Sequence, residues 1–242
     1  MEIYIGKNYD EISFLGAAIL AKQIRRDPRC VLGLATGSTP VGMYSRLIDM
    51  HKRSGLDFST VRSYNLDEYY PIKRSDSQSY YSFMWENLFS HINIMKENTH
   101  LPNGECADPD AECATYERSI AADGGIDIQV LGIGVNGHIG FNEPAGELIL
   151  DTHRTGLTPS TIEANARFFR SADEVPTQAI TMGMGTIMRA RAILLLISGE
   201  SKAPVVRRLF SGAVSTDVPA GFLHLHPDAT VLMDEAAASQ MD

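Results

Sequence analysis

Short apolar runs alternate with stretches of helical periodicity along most of this chain, and no other feature restricts its fold as much. Residues 30–34 and 190–197 are apolar runs of strand length, 126–133 reads as a buried strand and 61–66 as another strand, and 2–5 is a short alternating strand. Between them, 10–26 carries Ile12, Leu15, Ile19, Leu20 and Ile24 at helical spacings until Asp27-Pro28 stops it. Further helices are expected over 41–50, 78–89, 110–122, 185–189 and 201–210, with shorter strands at 178–182, 221–225 and 230–233. Residues 100–109 read as a loop, and between 143 and 176 the pattern is weak, with partial helix at 158–168. Strands that are apolar throughout belong in a parallel sheet covered on both faces, and intervening helices supply the crossovers such a sheet needs. The expectation is a single α/β domain over residues 1–242, a three-layer α/β/α arrangement around a mostly parallel, modified Rossmann-like sheet. The weakly patterned stretch 143–176 is the expected place for a mobile lid.

With 242 residues, 44% of them apolar, the chain can close a core of its own. Its longest apolar run, 192–197, is cut by Ser198, Gly199 and Glu200, far short of the roughly 18 residues of a membrane span, so no membrane partner is expected. The amino-terminal MEIYIGKNYDE has no basic segment followed by a long apolar one; no export signal is read, and a cytoplasmic location is expected. Cys30, Cys106 and Cys113 are too few for a disulfide framework and read as free thiols. Lys and Arg number 21 against 30 Asp and Glu, a net charge of −9 with no basic run, which argues against a nucleic-acid partner. A single phosphate on a small metabolite needs only two or three local cations.

In such sheets ligands sit beyond the carboxyl ends of the strands. Four polar clusters hold that position, at 36–39, 67–68, 136–143 and 198–202. The first, Thr36-Gly37-Ser38-Thr39 ahead of Pro40, offers an anion backbone donors, hydroxyls and the positive end of a helix, although such residues also serve as plain helix caps. It lacks the Lys-Ser/Thr ending of a triphosphate-binding loop. Lys202 opens a further post-strand helix and reads either as a second contact for that anion or as a solvated surface lysine. Arg167, beside Phe168 and Phe169, is either a phosphate ligand or surface packing. Asp67 and Glu68 follow a strand, where adjacent side chains diverge and only one need face the crevice; paired acids also cap helices.

Residues 132–137 fit the dinucleotide pattern GxGxxG, but Gly140 and Pro144 interrupt any helix that would present a pyrophosphate, which argues against a nicotinamide cofactor. The same glycines permit close backbone approach and leave His138 at the crevice, five residues ahead of Glu143. An imidazole oriented by a carboxylate moves protons in either direction near neutral pH; a buried, hydrogen-bonded histidine is the plainer alternative. His224 and His226 share one face of the expected final strands, a spacing open to a metal, but no acidic or cysteine partner adjoins them and no metal site is expected.

Taken together, LATGSTP at 34–40, NLDEYY at 65–70, SYYSFM at 79–84, GIGVNGHIGFNEP at 132–144, NARFF at 165–169 and SGESKA at 198–203 resemble the glucosamine-6-phosphate deaminase family. The stretches keep that family's order over most of the chain, and the GHIGFNEP block with LDEYY is the most specific part. The resemblance implies conversion of glucosamine 6-phosphate and water to fructose 6-phosphate and ammonia, with neither an organic cofactor nor a catalytic metal. It implies Asp67 as the base at C2, and His138, oriented by Glu143, as the group that moves a proton at the ring oxygen. Thr36, Gly37, Ser38 and Thr39, with Arg167 and Lys202, would hold the phosphate. A lactonase of the 6-phosphogluconolactonase kind and a non-catalytic sugar-phosphate sensor are the competing readings.

Two departures qualify the resemblance. Asn136 stands where an Asp precedes Gly-His in the family motif; it retains hydrogen bonding but loses a charge, which leaves more of the electrostatic task to Glu143. The chain reads as a short form, without the carboxyl-terminal segment of allosteric hexameric members, so a monomer without an allosteric activator is expected.

Overall fold

The computed structural model describes residues 1–166 and 174–241. Its main sheet runs in the order β1 (Glu2–Gly6), β10 (Ala229–Asp234), β9 (Ala192–Ile197), β6 (Ile128–Leu131), β2 (Val31–Leu34), β3 (Arg62–Asn65) and β5 (Thr99–His100), with every neighbouring pair parallel. All residues of β2 and β6 are buried, as are those of β9 from Ile193 onward, which is why these segments are apolar rather than alternating. Helix α1 (Tyr9–Arg26) starts at Asn8, whose side chain accepts the Glu11 amide, and ends on Arg25 and Arg26, a charge order that suits its dipole. It packs along α2 (Val41–Ser54), which a left-handed Gly55 terminates.

From β2 the chain steps outward to β3 and β5, returns to β6 on the other side of β2, and moves away through β9 and β10. The order therefore reverses between β2 and β6, where an open α/β sheet leaves a crevice beyond its strand ends. The segments after β9, β6, β2 and β3 hold the four polar clusters singled out in the sequence, and these strands are consecutive in the sheet.

A second, antiparallel sheet, unforeseen in the sequence, joins β4 (Asp67–Tyr70), β8 (Gln178–Thr181) and β7 (His153–Gly156). It grows directly out of β3: the Leu66 amide donates to the Leu34 carbonyl at 3.0 Å, and the Met182 amide to the Leu66 carbonyl at 2.7 Å. Asp67 thus begins a strand and is paired with Thr181. Tyr69, Ile72, Phe141, Leu157 and Ala179 form a separate small core around this sheet, with Tyr80 stacked on Phe141.

Elsewhere the sequence expectations need two adjustments. Residues 221–225 are not a strand but part of a 3-10 helix, Pro219–Leu225, whose proline supplies a ready-made first turn. The weak stretch after Glu143 holds β7, which the sequence does not mark, while α5 (Pro159–Ala166) falls within the partial helix expected at 158–168. Residues 167–173 of that stretch lie outside the described residues, as does the part of the expected lid they contain. Among the described residues, no helix is long and apolar enough to cross a membrane.

Candidate active site

The loop after β2 is built as a rigid backbone cradle. The Tyr9 hydroxyl lies 3.0 Å from the carbonyls of both Ser38 and Thr39 and accepts the Gly42 amide at 2.7 Å. The Tyr44 hydroxyl donates to the Ala35 carbonyl at 2.6 Å and accepts the Ala35 amide at 3.2 Å. Neither tyrosine is flagged by a motif, yet together they pin both ends of the loop. The amino end of α2 takes no side-chain cap, so the hydroxyls of Thr36, Ser38 and Thr39 are not spent on it. Gly37 and Ser38 are exposed at the crevice, and Thr36 and Thr39 are half-buried. Loop amides, hydroxyls and a helix amino terminus together favour an anion.

The adjacent acids divide their tasks. Glu68, 2% exposed, accepts the amides of Tyr69 at 3.0 Å, Tyr80 at 2.8 Å and Tyr81 at 2.9 Å. It thereby ties β4 to the first turn of α3 (Tyr80–Asn87), so the helix-capping reading holds for Glu68 and not for its neighbour. Asp67, 6% exposed, takes no hydrogen bond from the described residues. Burial, followed by the charge of Glu68, pushes its carboxyl up to about 8. Burial pushes Glu68 up as well, against the pull of its three amide donors.

The loop after β6 closes over Asp67. Gly140 has φ +58°, and a Cβ there would lie 2.9 Å from Thr181 Oγ1 and 3.3 Å from Asp67 Oδ2, so both its conformation and its surroundings call for glycine. No helix follows the GxGxxG pattern, in keeping with the argument against a dinucleotide. His138 Nδ1 lies 3.3 Å from Glu143 Oε2, which also accepts the Asn136 amide group at 2.6 Å. Asn136 in turn accepts the His138 backbone amide at 3.2 Å. Asn136 therefore orients Glu143 and the loop rather than the imidazole itself. The other Glu143 oxygen accepts the Thr161 hydroxyl at 2.5 Å and that of Thr158 at 3.5 Å, two residues that sequence reasoning missed. Burial alone would raise the Glu143 carboxyl, but the hydrogen bond and charge of His138, with the Thr161 and Asn136 donors, outweigh it and hold the group down at about 2.

Lys202 is half-buried and donates to the Ile133 carbonyl at 2.7 Å, which brings the loops after β9 and β6 together and disposes of the solvated-lysine reading. Arg167 lies outside the described residues. His224 and His226 point to different partners: His224 Nε2 is 2.8 Å from the Leu209 carbonyl and His226 Nε2 is 2.8 Å from the Ala190 carbonyl. The strand face expected to carry both does not exist, because they follow one another through the end of a 3-10 helix. Among the described residues, no group of three metal-ligating side chains gathers.

This arrangement places an anion cradle, a buried carboxyl without a hydrogen-bond partner among the described residues and a carboxylate-oriented imidazole at one topological switch point. A model of the family described as glucosamine-6-phosphate isomerases/6-phosphogluconolactonase matches residues 13–232, and the chain belongs to this family. It is similar to the glucosamine-6-phosphate deaminase of Thermoanaerobacter pseudethanolicus, 54% identical over 239 residues, which covers 99% of this chain and 94% of that protein. The glucosamine-6-phosphate deaminase of Clostridioides difficile is 53% identical over 242 residues, 100% of this chain and 97% of that one. Among solved structures, a monomeric glucosamine-6-phosphate deaminase superposes with a TM-score of 0.97 at 47% identity, covering 99% of this chain and 100% of the other. The 6-phosphogluconolactonase of Trypanosoma brucei shares the fold, with a TM-score of 0.81 at 20% identity over 100% of this chain and 98% of its own.

Proposed function

We propose that the protein is a glucosamine-6-phosphate deaminase, converting glucosamine 6-phosphate and water to fructose 6-phosphate and ammonia. The observation that carries the mechanism is Asp67, a buried carboxyl that takes no hydrogen bond from the described residues and that the Gly140 loop closes upon. Deprotonation beside a carbonyl needs a carboxylate within about 3 Å of the carbon-bound proton, and a raised pKa strengthens that base. Lys202 and the loop 36–39, joined by Arg167, hold the phosphate. Binding energy at that remote end restrains the open-chain sugar whose C2 must meet the base.

The steps follow from these positions. His138, held by Glu143, moves a proton at the ring oxygen, and the pyranose opens to the aldehyde. Asp67 removes the C2 proton; the electron pair of that bond forms the C1–C2 double bond while the carbonyl π pair moves to O1, which takes a proton from solvent, giving a 2-amino enol. Return of a proton to C1 leaves an imine at C2, and water adds there and expels ammonia, giving the ketone. A monomer that saturates hyperbolically, without response to N-acetylglucosamine 6-phosphate, belongs to the same proposal; the monomeric relative at 47% identity supports it. So does a cytoplasmic setting, in which Cys30, Cys106 and Cys113 stay free thiols.

An ammonia-release assay with glucosamine 6-phosphate tests the reading, run beside N-acetylglucosamine 6-phosphate, whose amide nitrogen cannot leave, and beside the lactone of 6-phosphogluconate. Ammonia from the first substrate alone is the expected result. Lactone opening without ammonia would replace it with the hydrolase reading, and tight binding without turnover with a sensor.

A further inference from the structure

The turn that delivers Lys202 is held from the neighbouring strand by one buried carboxylate. Asp234, the last residue of β10, is 4% exposed. Its Oδ1 accepts the Gly199 amide at 3.0 Å and the Ala237 amide at 2.8 Å; its Oδ2 accepts the Ser198 hydroxyl at 2.5 Å and the Gly199 amide at 3.1 Å. A residue needed only to cap α8 (Glu235–Ala238) would require the Ala237 bond alone. The others go to the turn after β9, where Gly199 stands at φ +94° and ψ 149°, a conformation left almost entirely to glycine. That turn leads into the 3-10 segment Glu200–Lys202, and Lys202 then reaches across to the Ile133 carbonyl beyond β6. Strands β10, β9 and β6 are consecutive in the sheet, so these hydrogen bonds run from the flank of the molecule to the crevice.

We propose that Asp234 is a positioning residue for phosphate binding: by clamping the turn at Ser198 and Gly199, it sets the Lys202 ammonium at the anion crevice. The inference rests on the reading of Lys202 as a phosphate ligand. The clamp is made of charge-assisted hydrogen bonds in a buried setting, where such bonds are strong and a lost partner is costly. Asp234 lies behind Lys202 rather than in the reaction, so its removal affects the grip on phosphate and leaves the proton transfers at C2 alone.

The test is a double-mutant cycle in steady-state kinetics with glucosamine 6-phosphate, using Asp234→Ala, Lys202→Met and the pair, with inhibition by inorganic phosphate measured for each. Lys202→Met is expected to raise KM by about tenfold or more, the worth of one charge-assisted hydrogen bond. Asp234→Ala is expected to raise KM and the phosphate inhibition constant by about tenfold, with kcat within about threefold. In the Lys202→Met background the same change should add almost nothing. Asp234→Asn, which keeps an acceptor for the Gly199 amide, should recover most of the affinity; with Ser198→Ala it carries the test if Asp234→Ala does not fold. Equal effects of Asp234→Ala in both backgrounds, or a fall in kcat without a rise in KM, would overturn the inference alone. An unchanged KM in Lys202→Met would remove the phosphate reading and the inference with it.

Discussion

Replacing Asp67 by Asn should cut activity by about 10²–10⁴ and, in a defined pH window, stabilise the fold. The carboxyl has an ordinary value of 3.8 and is pushed up to about 8 in the native state by burial and then by Glu68. Between those values the native protein holds a proton that the unfolded chain releases, so stability falls as pH rises from about 4 to about 8. At pH 7 the penalty reaches about 1.4 kcal/mol for each of some three pH units, a ceiling of about 4 kcal/mol. Asn cannot ionise and escapes it, although burying its two amide donors carries a pH-independent cost of about 1–3 kcal/mol. The diagnostic quantity is therefore the pH dependence of the difference between the two proteins. Urea unfolding at pH 4, 5.5, 7 and 8.5 should show the variant gaining on the wild type by up to about 4 kcal/mol between the first and third conditions. Thermal midpoints should follow at roughly 2–4 °C per kcal/mol for a chain of this size. A stability difference that stays constant across this range would refute the reasoning, because Asp67 would then titrate alike in both states.

The same raised carboxyl predicts an acid limb in kcat/KM, with activity rising as pH approaches about 8 and the base ionises; Glu68→Gln, by removing a neighbouring charge, should move that limb to lower pH, and an unmoved limb would count against the coupling. Asn136→Ala should cost about tenfold in kcat, since Glu143 keeps its contacts to His138 and Thr161. Asp67→Asn and His138→Gln should cost about 10²–10⁴, and a reversed ranking in steady-state assays would show Asn136 to be a principal residue. Thr161→Val, which strips a donor from Glu143, should lower kcat/KM about five- to tenfold while Thr161→Ser restores it; equal losses in both would indicate a packing effect.

What could be read in advance follows from where each signal resides. The strands β2 and β9 declare themselves because burial on both faces demands continuous apolar residues, β6 does so nearly as well despite its buried Gln129, and the polar residues just after them fall at the crevice for topological reasons alone. Strands β4 and β7 have no such mark. Asp67-Glu68-Tyr69-Tyr70 and His153-Arg154-Thr155-Gly156 are short and polar, and they are strands because each pairs with β8. The segment Gly221-Phe222-Leu223-His224-Leu225 misled in the opposite direction: its apolar content resembles a strand, but Pro219 and the packing beneath it favour a 3-10 helix. In the site, Asp67, His138, Glu143 and Lys202 lie in recognisable segments just after strands of the main sheet, whereas the groups that hold them act over long sequence distances. Glu68 meets α3 across a dozen residues, Tyr9 meets the loop after β2 across some thirty, and Asp234 meets Gly199 across 35. No local pattern contains such contacts.

The most direct test of the account is the fate of the hydrogen at C2. With glucosamine 6-phosphate deuterated at C2, the wild-type protein should lose the label to solvent and show a primary isotope effect on kcat/KM. Asp67→Asn, folded as judged by its unfolding curve, should slow that loss by about 10²–10⁴. Release of the C2 deuterium by Asp67→Asn at the wild-type rate would contradict Asp67 as the base on which the proposed chemistry depends.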